Sequence, residues 1–178
     1  MSKQFTIEKS RPEDTEESEQ MRYRSWLDTY VNDEHGMTKE MIEEYFVPRL
    51  SPEGIEKKRK RTEENSHNPN ILDLTAKDEN GKIIGWMVAT KEGHREIGAI
   101  YTDKDYHGGG LGSALIKRGL DFLGYDEDIE LHVVDYNERA KAFYRKFGFE
   151  PVGEPEYTRF KEMPEIKMVR LASPTTNL

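Results

Sequence analysis

The sequence predicts an α/β fold: a mixed, mostly antiparallel central sheet with flanking helices. Three observations predict it. Both strand-like and helix-like stretches occur in a chain of 178 residues, a length that suits one domain with a substantial core. Residues 71–102 read as three consecutive strands joined by short turns, an antiparallel meander. A helix then links the last of these to the strand at 129–134, so a helical crossover joins the antiparallel pairing.

The elements follow in order. Phe5, Ile7 and Lys9 begin a first strand, ended by Arg11-Pro12. Asp14 or Thr15 is placed to cap a helix to about Tyr30, with Met21, Trp26 and Leu27 on its buried side. Met41, Ile42, Tyr45 and Phe46 stand at helical spacing, predicting a second helix over 38–46. Ser51-Pro52-Glu53 opens a third, with proline where its missing N–H is not needed. Ile71–Ala76 and Ile83–Thr90 are strands around the hairpin turn Asp78-Glu79-Asn80-Gly81. Glu96–Thr102 is the next strand. A glycine-rich turn and an amphipathic helix over 113–123 follow, then a strand at Ile129–Val134. Ala140, Phe143, Tyr144 and Phe147 make one stripe of a helix over 137–147, which Gly148 stops. Phe149–Val152 and Ile166–Leu171 close the sheet. Residues 1–172 are expected to form a single domain, and 173–178 a mobile tail.

Composition narrows the function. The chain has no cysteine, which excludes disulfides and thiolate catalysis. No apolar run is long enough to span a bilayer and no signal-peptide core is present, so a soluble, cytoplasmic protein without membrane partners is expected. A net charge of −8 disfavours nucleic acid and mildly favours cationic ligands. The basic run Lys57–Arg61 is interleaved with glutamates and reads as a solvated helix face. The five histidines show no metal-ligand spacing, so no metal is expected.

The most informative segment is His107-Gly108-Gly109-Gly110-Leu111-Gly112, between a strand and a helix. Glycines take positive φ and let backbone approach an anion, and a helix N-terminus offers free N–H groups to it. By itself the turn fits either an anion cradle or a flexible turn without a ligand. It is not a Walker A loop, because no Lys-Ser or Lys-Thr follows Gly112.

The turn does not stand by itself. Ile100 to Gly112 resembles motif A of the GNAT family of N-acetyltransferases, Arg or Gln, two residues, Gly, one residue, Gly or Ala. His107, Gly110 and Gly112 take those three places, and His107 departs from the usual Arg or Gln. Asn137, Ala140, Phe143, Tyr144, Gly148 and Phe149 resemble motif B, N-x-x-A-x-x-F-Y-x-x-x-G-F. The resemblance implies the GNAT fold, in which the sheet splays between the fourth and fifth strands. It implies acetyl-CoA as co-substrate, its pyrophosphate on the N–H groups of Gly108, Gly109, Gly110, Leu111 and Gly112, with His107 and Ser113 at the edges. The pantetheine arm would pair with the backbone of Ile100, Tyr101 and Thr102, and Asn137 would hydrogen-bond it at the mouth of the splay.

Acetyl transfer to an amine needs a base, oxyanion donors and an acid for the leaving thiolate. Tyr144 stands where the family places the acid. A phenol near pKa 10 keeps its proton at neutral pH and can give it to a thiolate, whose acid lies near 8.5. The alternative is a packing role beside Phe143. Glu96, eleven residues before His107, is the base candidate by resemblance to the histone-acetylating branch, or else a solvated charge. The oxyanion donor is expected among the backbone N–H groups of Ile100–Thr102.

Arg24-Ser25-Trp26-Leu27-Asp28-Thr29-Tyr30 resembles the R-S-W-x-x-x-Y segment of bacterial PaiA-like small-molecule acetyltransferases. Trp26 and Tyr30 share a helix face and, with Tyr101, either wall an acceptor slot or fill the core. Asp28, Asp33 and Glu34 are candidates to attract an amine. The expected activity is acetyl-CoA-dependent N-acetylation of a small amine, polyamines first, by direct attack in a ternary complex. The alternatives are a protein N-terminal or lysine acetyltransferase, or a non-catalytic acyl-CoA-binding module. Members of the family are often homodimers, and nothing in the sequence fixes an interface.

Overall fold

A computed structural model describes residues 4–173. Seven strands form one sheet: β1 Phe5–Lys9, β2 Ile71–Asp78, β3 Ile83–Thr90, β4 Arg95–Thr102, β5 Ile129–Val134, β6 Glu150–Glu156 and β7 Glu165–Arg170. Five α-helices accompany them: α1 Thr15–Tyr30, α2 Lys39–Leu50, α3 Pro52–His67, α4 Leu111–Leu123 and α5 Glu138–Arg145. The strand order is β1-β2-β3-β4-β5-β7-β6. Every neighbouring pair is antiparallel except β4–β5. That parallel pair has only two registered positions, Arg95 with Ile129 and Glu96 with Glu130. Beyond Glu96 the strands part, which is the expected splay. Gly98 has no partner between the Ala89–Ile97 and Val88–Ala99 pairs, so β4 bulges there.

One core packs against the face of the sheet that carries α4 and α5. It joins Leu74, Met87, Leu115 and Ile116 to Leu131, Tyr144, Phe149 and Met168, and so continues beneath the splay. On the other face, α1 and α2 close over Trp26, Met37, Ile42 and Phe46. Buried Asp73 ties α3 to the sheet, accepting from Trp86 Nε1 (2.8 Å) and Asn65 Nδ2 (2.9 Å). A buried carboxylate needs such donors to offset its lost hydration. Among the described residues, no helix is long and apolar enough to cross a membrane.

The structure differs from the expected elements in several places. The side chains of Asp14 and Thr15 do not cap α1. Asp14 instead lies 2.8 Å from Lys77 Nζ. The second helix continues past Phe46 to Leu50 despite Pro48. The hydrogen bond that proline removes would have used the carbonyl of Glu44, a residue exposed to solvent. Helix α4 starts two residues early, at Leu111, and α5 ends at Arg145. Finally, Ser173 is held, its amide donating to the Tyr125 carbonyl at 2.8 Å. The rest of the expected tail, 174–178, lies outside the described residues.

Candidate active site

A cavity of 980 Å³ runs along the splay, lined from α1 and α2 on one face of the sheet and from α4 and α5 on the other. At one end lies the glycine turn. Gly108 and Gly110 have φ of +77° and +88°, and a Cβ at either would meet nothing within 4 Å. Glycine is therefore required there by backbone conformation and not by crowding. Gly110 is the N-cap of α4 and no side chain caps that helix, so its first-turn amides are left for another acceptor. Gly108, Gly110, Gly112 and Ser113 line the cavity, whereas Gly109 and Leu111 do not. The Gly109 amide donates to Tyr106 O (3.2 Å), and the Leu111 side chain is buried in the core. Any part played by Leu111 is confined to its backbone.

His107 also lines the cavity. Partial desolvation, then the nearby Arg139 guanidinium, lower its pKa, against the opposing effect of a hydrogen bond to the Thr102 backbone. Ile100, Tyr101 and Thr102 run along the strand edge that β5 leaves unpaired. Ser25 Oγ is 3.4 Å from the Thr102 carbonyl. Asn137 caps α5, its Oδ1 accepting from Ala140 N at 3.0 Å, which leaves its side-chain N–H groups to donate.

At the centre, tyrosines from three elements converge: Tyr30 on α1, Tyr101 on β4 and Tyr144 on α5. Tyr144 packs edge-on against Phe143 and Phe149. Burial, then the neighbouring Tyr101, push its phenol far above the usual value, so it holds its proton throughout the neutral range. Tyr30 and Tyr101 are raised mainly by burial as well. Glu96 lines the cavity where the splay begins. His94 Nε2 is 3.3 Å and His132 Nδ1 3.8 Å from its carboxylate, and His132 faces the same cavity.

The far end is aromatic and cationic. Trp26 meets Tyr30 edge-on at 5.1 Å and stacks on Tyr45 at 4.9 Å. Tyr101 stacks on Trp86 at 6.2 Å. Arg22 pairs with Glu19 and lies over Trp86 at 4.6 Å. Arg49 and Arg159 both sit over the ring of Tyr45. The candidate acids of the first helix are elsewhere. Asp28 is bound to Lys104 Nζ at 2.7 Å and lines a separate cavity of 340 Å³. Asp33 and Glu34 are exposed in the turn after α1 and do not line the large cavity. Sequence reasoning missed Arg49, Arg139 and Arg159. Tyr45 was visible only as part of an apolar helix stripe, and nothing marks a lone arginine on a polar helix face or in a loop.

A sequence profile described as the Acetyltransferase (GNAT) family matches residues 34–149. The chain belongs to the GNAT acetyltransferase family. Among solved structures, the PaiA N-acetyltransferase of Thermoplasma acidophilum in complex with coenzyme A superposes with a TM-score of 0.73 at 22% identity, covering 94% of this chain and 99% of that one. At that identity the likeness shows the GNAT fold. Two curated relatives are mycothiol acetyltransferases. That of Beutenbergia cavernae is 36% identical over 103 residues, 55% of this chain and 34% of its own length. That of Clavibacter sepedonicus is 38% identical over 80 residues, 43% of this chain and 26% of its own. The GNAT chain described here thus spans about a third or less of the length of these relatives.

Proposed function

We propose that the protein transfers an acetyl group from acetyl-CoA to a primary amine of a small molecule, by direct attack in a ternary complex. One observation carries this reading. A single cavity collects an uncapped helix N-terminus behind a glycine turn, an unpaired strand edge, a protonated buried phenol and a carboxylate. The curated relatives, named mycothiol acetyltransferases, support a small-molecule acceptor.

When bound, acetyl-CoA supplies the acetyl group as a thioester open to attack by a neutral amine. The amides of Gly108 and Gly110 and those in the first turn of α4 hold the pyrophosphate, with Arg139 supplying positive charge beside His107. The open edge of β4 at Ile100–Thr102 pairs with the pantetheine arm, and Asn137 donates to it. Glu96 takes the proton that the ammonium must lose, with His132 beside it inside the cavity. Tyr144 returns a proton to the sulfur as the C–S bond breaks and the C–N bond forms. Trp26, Tyr30 and Tyr101 wall the acceptor. Asp28, Asp33 and Glu34 do not line the cavity and so lend no support to a polyamine preference.

The test is thiol release from acetyl-CoA across a panel of small amines. Amine-dependent release is expected. Binding of CoA with no release for any amine would favour a non-catalytic acyl-CoA-binding module, and release only with peptides would favour a protein acceptor.

A further inference from the structure

We infer that the acceptor is a primary amine that also carries a carboxylate, and that Arg49 and Arg159 hold that carboxylate beside the ring of Tyr45. The inference rests on the acetyl-transfer reading above and names the substrate class of that same site.

Two guanidinium groups share one aromatic ring: the carbon of Arg49 lies 3.6 Å and that of Arg159 5.0 Å from the Tyr45 centroid. They come from distant parts of the chain, Arg49 from the end of α2 and Arg159 from the loop between β6 and β7. Two positive charges gathered at one ring favour an anion that can offset them both. Among the described residues neither forms an ion pair with a carboxylate, although the chain carries 35 acidic residues. Arg49 spends one N–H on the Tyr45 carbonyl at 3.0 Å. Its other donors and those of Arg159 remain for a ligand, in the fork geometry that suits a carboxylate. Both residues line the large cavity.

The charge along the cavity is ordered. Its acidic residues, Glu96 and Glu165, stand on β4 and at the start of β7, Glu165 beside Tyr30. The arginine pair stands beyond Trp26 and Tyr45, two ring-to-ring steps of 5.1 and 4.9 Å from Tyr30. An ammonium at the acidic end and a carboxylate at the arginine end match this order, with an apolar body along the Trp26 and Tyr45 rings. A polyamine would set a second ammonium against two arginines.

The experiment measures thiol release with ε-aminohexanoate, hexylamine and hexamethylenediamine, which differ only in the group at the far end. Spermidine and the pair para-aminomethylbenzoate and benzylamine complete the set. The carboxylated member of each series is expected to show a kcat/KM about tenfold or more above its uncharged partner, the scale of a charge-assisted contact. Arg159→Gln, on an exposed loop, should cut that preference by about tenfold, through KM, and Arg159→Lys should recover part of it. Arg49→Gln should act in the same direction. Equal or better use of hexylamine or the diamines by the unaltered enzyme would overturn the inference and leave acetyl transfer standing. So would an Arg159→Gln variant that lowers every amine alike. Absence of release with every amine, with CoA still bound, would defeat the acetyl-transfer reading itself.

Discussion

The two ends of the cavity are built from different materials. The end at the glycine turn is made of main chain: left-handed glycines, uncapped helix amides and a strand edge without a partner. The end around Tyr45 is made of side chains delivered by α1, α2, β4 and the loop before β7. Main-chain sites tolerate changes of side chain but depend on backbone geometry. Side-chain sites depend on each residue and on the helices that deliver it. The first end suits a constant ligand shared across a family, and the second a ligand that differs from member to member.

Substitutions at each end test this division. Tyr144→Phe, between the two ends, should have the greatest consequence, a fall in kcat of about 10²–10⁴ for loss of an acid, with CoA affinity kept. Turnover within a few-fold of the unaltered protein would assign Tyr144 to packing alone. Gly54→Ala comes next. A Cβ there would overlap the Pro48 carbonyl and press on that of Arg49, where α2 gives way to α3. Overpacking of this kind costs about 1–3 kcal/mol, readable by urea denaturation. It should also raise the acceptor KM through Arg49 while sparing the Kd for CoA. An equal loss at both ligands would show that the ends are not separable.

Gly110→Ala is the complementary change, with open space around the Cβ but a φ of +88°. The left-handed conformation costs alanine about 1–2 kcal/mol. The loss should fall on CoA affinity and stability, not on acceptor KM, as titration and steady-state kinetics would register.

The smallest effect concerns His107. Its pKa is lowered in the fold by desolvation and Arg139, whereas an unfolded histidine titrates near about 6.5. The associated stability is therefore complete above that pH. It declines as pH falls through the unfolded value, because the unfolded chain binds the proton first. An anion at the turn favours the protonated ring, so CoA affinity should rise modestly as pH falls from about 7 to 5. His107→Gln should flatten that rise, and an unchanged pH profile would remove the ring from phosphate binding.

The same division explains what could be read before the structure was known. Main-chain devices leave marks in sequence because few residues permit them. The glycines at 108, 110 and 148, with φ of +77°, +88° and +84°, were visible as punctuation, and Asn137 as a motif position. The splay came with the family's two motifs. The arginine pair left no mark, since Arg49 and Arg159 are 110 positions apart and ordinary in composition. Asp28 misled for the same reason: its partner Lys104 is invisible without the fold. The continuation of α2 past Pro48 was also hidden, although it is what carries Arg49 to the ring of Tyr45.

The two-residue union of β4 and β5 has a mechanical consequence. It is the narrowest seam in the sheet, with the fewest main-chain bonds to resist opening, while the apolar core beneath continues across it. The sheet is thus joined by few main-chain bonds along one line, above a core that does not break there. Any molecule that lies in the gap and bonds to the free edge of β4 acts as a rivet across that line. Its binding energy then adds to the resistance of the whole sheet to unfolding, in proportion to the logarithm of its concentration over Kd. Protein at work, with the gap filled, is accordingly a sturdier object than the same chain between turnovers.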